Sequence, residues 1–254
     1  MINLWLQSVM FDKYFEVILA NTQESREIHY NIRYQVYCEE LGYEDVTKFP
    51  KKQEIDKWDP QNDQDQRTLL FLVRLKHTEQ WIGAMRIVHH NGDKIPLEDF
   101  SSLDHDIEGS AIEISRLCLV KEIRKPYLQN SYGINEANIS NSSIVANEEA
   151  EGVKKFYSNP QVKSTIIWGL FNAALQYGKA THINKCYLLA SKALVRVVRR
   201  QGFAVEQVGS TCEHRGKRSP YRLNVNEVQD NPLWGTFNRG YQVYSELLQE
   251  EKAA

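Results

Sequence analysis

The stretch Ala111 to Val120 reads Ala-Ile-Glu-Ile-Ser-Arg-Leu-Cys-Leu-Val, a strand pattern apolar on both faces that nevertheless carries a full negative and a full positive charge. A strand of this kind belongs inside a sheet covered by helices. There, a charge has to be paired or neutralised. Strand geometry puts Glu113 and Ser115 on one face and Arg116 on the other with Ile112 and Ile114, unless a local bulge re-aims it. A half-buried carboxylate whose pKa is raised is what general-base chemistry near neutrality needs. Arg86, on the preceding strand after Gly83, is the candidate partner of Glu113. A purely structural ion pair is the competing reading.

The rest of the chain supplies a sheet for that strand. Strand patterns fall at Phe15 to Leu19, Leu69 to Arg74, Trp81 to His89, Lys185 to Ala190, Ala204 to Val208 and Tyr221 to Val225. Helical periodicity predicts helices over about Ser25 to Glu40, Ser164 to Gly178 and Ser191 to Gly202. In the last of these Ser191 is a natural N-cap, Leu194, Val197 and Val198 point inward, and Gly202 stops the helix. The order implies an α/β (α+β) fold, a central mixed, twisted sheet flanked by helices, in one domain spanning 1–254. Between about 129 and 151 the chain is rich in Asn, Ser and Glu, a polar mobile insertion that could serve as a lid. A terminal helix is expected from Tyr241 to Gln249, packed on this subunit or on another.

Composition narrows the function classes. With 31 Lys and Arg against 33 Asp and Glu the net charge is −2, which argues against a general nucleic-acid binder. No unbroken apolar run exceeds five residues, far short of the roughly 20 that a membrane-spanning helix needs. The apolar N-terminal residues Ile2, Leu4, Trp5, Leu6, Val9, Met10 and Phe11 lack the flanks of a signal peptide. They read as core packing, with peripheral membrane contact as the alternative. Cys38, Cys118, Cys186 and Cys212 are scattered, without metal-ligand spacing, so no metal site is expected and a cytoplasmic, reducing compartment fits. Cys118 and Cys186 lie in apolar runs and read as small buried hydrophobes.

Two further clusters place charge beside apolar neighbours. Arg33 and Tyr37 are four apart on one predicted helical face, and Tyr43 follows just after Gly42. Asp56 and Asp59, in Glu54-Ile55-Asp56-Lys57-Trp58-Asp59, could jointly bind a cation such as a substrate ammonium, or be solvated loop acids. On the Ser191 helix, Arg196, Arg199 and Arg200 fall at i, i+3 and i+4. Lys121, Arg124 and Lys125 form a second basic cluster after the Glu113 strand.

Taken in order, Arg33, Tyr37, Tyr43, then Glu54, Asp56, Asp59, then Gly83 with Arg86, Pro96-Leu97-Glu98 with Phe100, and Glu113 to Arg116 resemble the motif of acyl-homoserine-lactone synthases. Tyr43 stands where a Trp is usual. The C-terminal half is closer to a sister group, the long-chain N-acyl amino acid synthases and the PEP-CTERM/exosortase system-associated acyltransferases. The stretches that carry this likeness are Arg33 to Cys38, Leu194 to Gly202 with Phe203 and Gly209, and Glu213-His214-Arg215-Gly216-Lys217-Arg218-Ser219-Pro220-Tyr221. The resemblance covers about Phe15 to Val225.

The resemblance implies a GNAT acyltransferase fold and transfer of a fatty acyl group from a thioester to the amine of an amino acid or similar small acceptor. No bound cofactor or metal is needed. Glu113 would be the base and Arg116 its buttress. Asp56 and Asp59 would hold the ammonium, with Arg33 and Arg86 binding an acceptor carboxylate or bracing those acids. Tyr37, Tyr43 and Ser115 would contact substrate, and backbone N–H groups beside Leu117 to Leu119 would bind the oxyanion. Acetyl-CoA-dependent relatives carry an Arg/Gln-x-x-Gly-x-Gly/Ala loop for the pyrophosphate. Here Val120 runs into Lys121-Glu122-Ile123-Arg124-Lys125-Pro126 instead. The only near match, Gln129 to Gly133, has Asn135 where a second small residue belongs. That absence favours an acyl-carrier protein over CoA as donor. Carriers are acidic, so Arg196, Arg199 and Arg200 are the expected docking face. The alternatives are an autoinducer synthase using S-adenosylmethionine, acylation of a protein or polysaccharide, and a non-catalytic acyl or acyl-carrier binding module. Reversing Arg199 and Arg200 to Glu is expected to raise the KM for acyl carrier and leave that for the free amine unchanged. An unchanged carrier KM in steady-state assays would remove the docking assignment.

Overall fold

The structure, a computed structural model, describes residues 11–62, 64–124, 160–234, 237 and 240–253. Strand β1 (Phe15–Leu19) leads into helix α1 (Gln23–Tyr34), whose first turn is capped reciprocally: the Thr22 side chain accepts from the Ser25 N–H and the Ser25 hydroxyl accepts from the Thr22 N–H. After Tyr34 the helix widens into a π-helical stretch, Gln35–Glu40, so the single helix expected to Glu40 is divided. The next strands are β2 (Thr68–Leu75), β3 (Trp81–His90) and β4 (Ala111–Leu119), with a 3-10 turn at Pro96–Asp99 before β4. A short helix α2 (Lys121–Arg124) and the long α3 (Pro160–Ala180) lead to β5 (Lys185–Ala190) and α4 (Lys192–Arg200). The chain closes with β6 (Glu206–Gln207), β7 (Cys212–Glu213), β8 (Lys217–Asn224), α5 (Val225–Gln229), β9 (Gln242–Val243) and α6 (Tyr244–Ala253).

The strands form one mixed sheet in the order β6-β8-β5-β4-β3-β2-β1-β9, with β7 paired to β8. β1 and β5 coincide with their sequence expectation. The expected Ala204 to Val208 strand shrinks to two residues, and the Tyr221 strand starts earlier, at Lys217. On α4 the Ser191 cap forms, accepting from the Leu194 N–H. The inward residues there are Val195 and Val198, whereas Val197 is 41% exposed. Phe11 is buried against Phe15 and Phe237, while residues 1–10 lie outside the described residues. So does the insertion at 129–151. The terminal helix starts at Tyr244 and packs on this chain, with Tyr244 and Leu247 joining the core.

Two features of β4 shape everything around the site. Its parallel pairing with β5 covers only Ala111 to Glu113 against Lys185 to Tyr187; from Ile114 onward the strands diverge, and among the described residues no strand covers that edge of β4. On its other side the register with β3 shifts, from Ala84 opposite Cys118 to Arg86 opposite Ser115, so β4 holds one extra residue. Arg116 sits in this bulge at φ +53. Ile112 and Ile114 pack with Trp168 and Ala174 of α3, Val198 of α4 and Val228 of α5 around an apolar cavity of about 60 Å³.

β3 and β4 approach closely at Gly83. A Cβ there would lie 2.5 Å from Leu119 Cδ2 and 2.8 Å from the Cys118 carbonyl oxygen, and the carbonyl cannot retreat without breaking the ladder. Gly83→Ala is expected to destabilise the protein by about 1–3 kcal/mol. At roughly 2–4 °C per kcal/mol for a domain of this size, thermal unfolding reads that directly, and an unchanged Tm would contradict it.

Candidate active site

The residues singled out in the sequence converge on one buried charge network. Arg33 of α1 is fully buried; its Nη1 donates to Asp59 Oδ1 at 2.6 Å and its Nε to Glu54. Arg86 of β3 donates from Nη1 to Asp56 Oδ1 at 2.6 Å and Asp59 Oδ1 at 3.0 Å, and from Nε to Ser115 Oγ at 3.2 Å. Arg116 of β4 pairs with Asp56, and with Glu54 Oε1 at 3.3 Å. Arg215, from the turn between β7 and β8, reaches Glu44, and Glu54 Oε1 at 3.8 Å. Four guanidiniums thus meet four carboxylates, and the network is neutral as a unit. Burial alone would push the Asp56 carboxyl upward, yet Arg86, Arg116 and Arg33 outweigh it and hold its pKa well below the usual range. Asp59 is depressed in the same way by Arg33 and Arg86.

This arrangement corrects three expectations. Arg116 does not fall on the face opposite Ser115: the bulge at φ +53 carries its guanidinium to the acids that Arg86, the partner of Ser115, also holds. Arg86 does not pair with Glu113, because the register sets Arg86 opposite Ser115 and Glu113 opposite Val88, two residues further along. Asp56 and Asp59 are not an open ammonium clamp. Asp59 is sealed between Arg33 and Arg86, and only Asp56, with a side chain 21% exposed, still reaches the cleft.

Glu113 stands apart from the network. Its side chain is 98% buried, at the residue where β4 and β5 stop pairing, and it accepts one hydrogen bond, from the Leu97 N–H at 2.7 Å. The 3-10 turn that presents Leu97 is itself fixed by Glu98, which accepts from the Ile95 N–H at 2.7 Å. Among the described residues Glu113 has no ion-pair partner. Burial raises its pKa to about 8, against the opposing pull of the Leu97 N–H, Arg86 and Arg116. Two carboxyls of one cleft therefore have opposite character, Asp56 a permanent anion and Glu113 a proton acceptor near neutrality.

The cleft itself has a volume of about 510 Å³. One wall is polar: Tyr37, Tyr43, Asp56, Trp58, Arg86, Glu113, Ser115 and Arg116, with His214, Arg215 and Arg218 above them. Tyr37 and Tyr43 stack at 6.4 Å, and the Arg215 guanidinium lies 4.5 Å from the Tyr37 ring and 5.9 Å from that of Tyr43. The other wall is apolar. Ile114, Phe171 and Leu188 line both the cleft and the cavity behind it. Arg196, Arg199 and Arg200 are exposed on α4, outside the cleft, and Arg199 also donates to the Val205 carbonyl. Arg124 lines the cleft, paired with Glu40, while Lys125 lies outside the described residues. Among the described residues no group of three or more His, Cys, Asp or Glu could hold a metal ion. The Cys118 and Cys186 thiols are pushed up to about 12 by burial.

In the sequence His214, Arg215 and Arg218 carry part of the family likeness but receive no role in the site. The available signal was local: a basic run around Gly216, which takes φ +92 in a turn between strands. Nothing in that run says that its tip folds back over Tyr37 and Tyr43.

Residues 32–130 match the family model of the acetyltransferase (GNAT) domain. No curated protein matches the chain in sequence. Among solved structures it is similar to BjaI, a CoA-dependent acyl-homoserine lactone synthase with SAM and isopentyl-CoA, at 14% identity and a TM-score of 0.58 over 91% of this chain and 92% of that one. It is also similar to the CoA-dependent acyl-homoserine lactone synthase MesI, at 13% identity and 0.54 over 91% and 98%, and to the synthase LasI, at 14% and 0.51 over 84% and 91%. Residues 32–130 thus resemble an acetyltransferase (GNAT) domain, and the chain shares its fold with these synthases.

Two measurements test this electrostatic picture. Arg33→Met removes one guanidinium from the buried network, leaving Glu54 and Asp59 with only their longer contacts to Arg116, Arg215 and Arg86 and the cluster with an excess negative charge, and is expected to cost about 3–5 kcal/mol in denaturant unfolding. Glu113 has a folded pKa of about 8 against an ordinary 4.5, so between those values the folded state binds the extra proton. Its contribution is complete below about pH 4.5 and is lost as pH rises through about 8. Glu113→Gln should therefore flatten the decline of stability across that window. A decline equal to that of the unsubstituted protein would place the titrating group elsewhere.

Proposed function

We propose that the protein is an N-acyltransferase that moves a long-chain fatty acyl group from a carrier-protein thioester to the amine of an amino acid or similar small acceptor. The observation that carries this reading is Glu113: a carboxyl held in a low-dielectric site, titrating at about 8, at the mouth of the gap between β4 and β5. An acceptor amine arrives protonated. Glu113, directly or through a water, takes that proton. The nitrogen lone pair then attacks the thioester carbonyl, the C–N bond forms as the C–S bond breaks, and the thiol leaves on its carrier. Backbone N–H groups on the uncovered edge of β4 are placed to stabilise the oxyanion. Asp56, kept ionised by Arg86 and Arg116, offers the ammonium a counter-charge at the cleft surface. The apolar wall of the cleft, with Ile114, Ile167, Phe171, Leu188 and Leu194, offers a surface for an acyl chain and supports a lipid over an acetyl donor.

The exposed Arg196, Arg199 and Arg200 beside Leu194, which lines the cleft, support a carrier protein as donor. Four unpaired thiols fit a cytoplasmic site of action. A second reading, lactone synthesis from S-adenosylmethionine, is favoured by the shared fold with a synthase whose structure holds SAM.

Glu113→Gln is expected to lower kcat by about 10²-fold or more with the thioester KM little changed. In the unsubstituted protein kcat/KM should rise with pH to a plateau through a pKa near 8, because the base must be unprotonated. A kcat within about threefold of the original would remove Glu113 as the base. Mass spectrometry of lipid extracts from an expressing host distinguishes the products: a linear N-acyl amino acid supports the first reading and a lactone the second.

A further inference from the structure

We propose that Arg218 anchors the carboxylate of the acceptor, so that the substrate is a free amino acid rather than a simple amine. The inference rests on the acyl-transfer reading and deepens it. It follows from an inventory of the cations along the cleft. Arg86, Arg116 and Arg215 are each taken up by Asp56, Asp59, Glu54 or Glu44. Lys57 is paired with Asp99 at 3.0 Å, and Arg124 with Glu40. That leaves Arg218 and Lys163, which among the described residues have no carboxylate partner. Lys163 is exposed on α3, in line with Ile167 on the apolar wall. Arg218 belongs to the polar wall, where the acceptor has to sit.

Its setting is built to hold an anion. Arg218 donates from Nε to the His214 carbonyl at 2.8 Å, which fixes the plane of the guanidinium and leaves the edge between its two terminal nitrogens for a bidentate ligand. The His214 ring is in turn held against Phe100, with ring centroids 3.8 Å apart. The base of the hairpin is tied to the same loop: Ser101 donates to the Ser210 carbonyl at 2.7 Å, and Leu103 bridges Gly209. A rigid donor pair costs a ligand little ordering. Burial, Arg215, Arg116 and Arg218 together lower His214 to about 4, so the imidazole stays neutral at physiological pH and adds no cation that would compete for the ligand.

Two probes that differ in one group test the proposal without turnover: N-dodecanoylglycine and N-dodecanoylglycinamide, titrated calorimetrically below their micelle concentrations. The protein should bind the acid about tenfold or more tightly than the amide, the worth of a charge-assisted pair. Arg218→Gln should bring the two within about twofold while leaving the amide affinity unchanged, and Arg218→Lys should fall between. Each variant carries its own control in the amide, which reports folding and the acyl site. Equal binding of both probes by the unsubstituted protein, or an acid preference that survives Arg218→Gln, overturns the anchor and leaves the acyl-transfer reading standing. Binding of neither probe overturns both.

Discussion

Everything at this site depends on Arg33 being carried into the interior with its charge. A guanidinium with no solvent contact is tolerable only where carboxylates meet it directly, and Glu54 and Asp59 do so. Those two acids bracket a connection that has no regular structure of its own. Their attachment to α1 is what brings Asp56 within reach of Arg86 on β3 and Arg116 on β4. One ion cluster therefore fastens a helix, a loop and two strands at a single point, and Arg215 extends it to the distant β7–β8 turn. Such a cluster does little for net stability compared with apolar packing, but losing one member strands another's charge in the interior.

The same low dielectric separates two carboxyls of the cleft, Asp56 and Glu113. Asp56 is surrounded by guanidiniums and stays ionised, whereas Glu113 has one backbone donor and apolar surroundings and stays near its titration point. Neither property belongs to the residue type. Both come from what the neighbouring strands and turns present, and they divide one cleft into an anchoring side and a proton-accepting side.

The divergence of β4 from β5 then links chemistry to substrate. Where the two strands stop pairing, backbone polar groups of β4 become available, and Ile114, Phe171 and Leu188 line both the cleft and the apolar cavity beneath α3 and α4. Glu113 lies at that fork. In the proposed reaction, a thioester lying in the cleft would meet polar groups on one side and an apolar wall on the other.

Much of this was legible in the sequence. Apolar-rich patterns located β1 and β5 to the residue, because a strand inside a covered sheet is dominated by apolar side chains. Glu113 stood out because a carboxylate inside such a stretch has to be neutralised or paired. The acids at Glu54, Asp56 and Asp59 and the arginines at 33, 86 and 116 were identified as a set, but their pairing was not. A one-residue bulge re-aimed Arg116, and the β3–β4 register gave Arg86 to Ser115 and Asp56 instead of Glu113. The π-helical widening after Tyr34 and the return of the His214–Arg218 turn over Tyr37 left no mark in local periodicity. Composition and pattern determine which side chains must be buried, since burial is priced residue by residue. Register, bulges and long-range turns decide which charge faces which, because those depend on strand alignment and on contacts between segments far apart in the chain, and only the folded arrangement sets them.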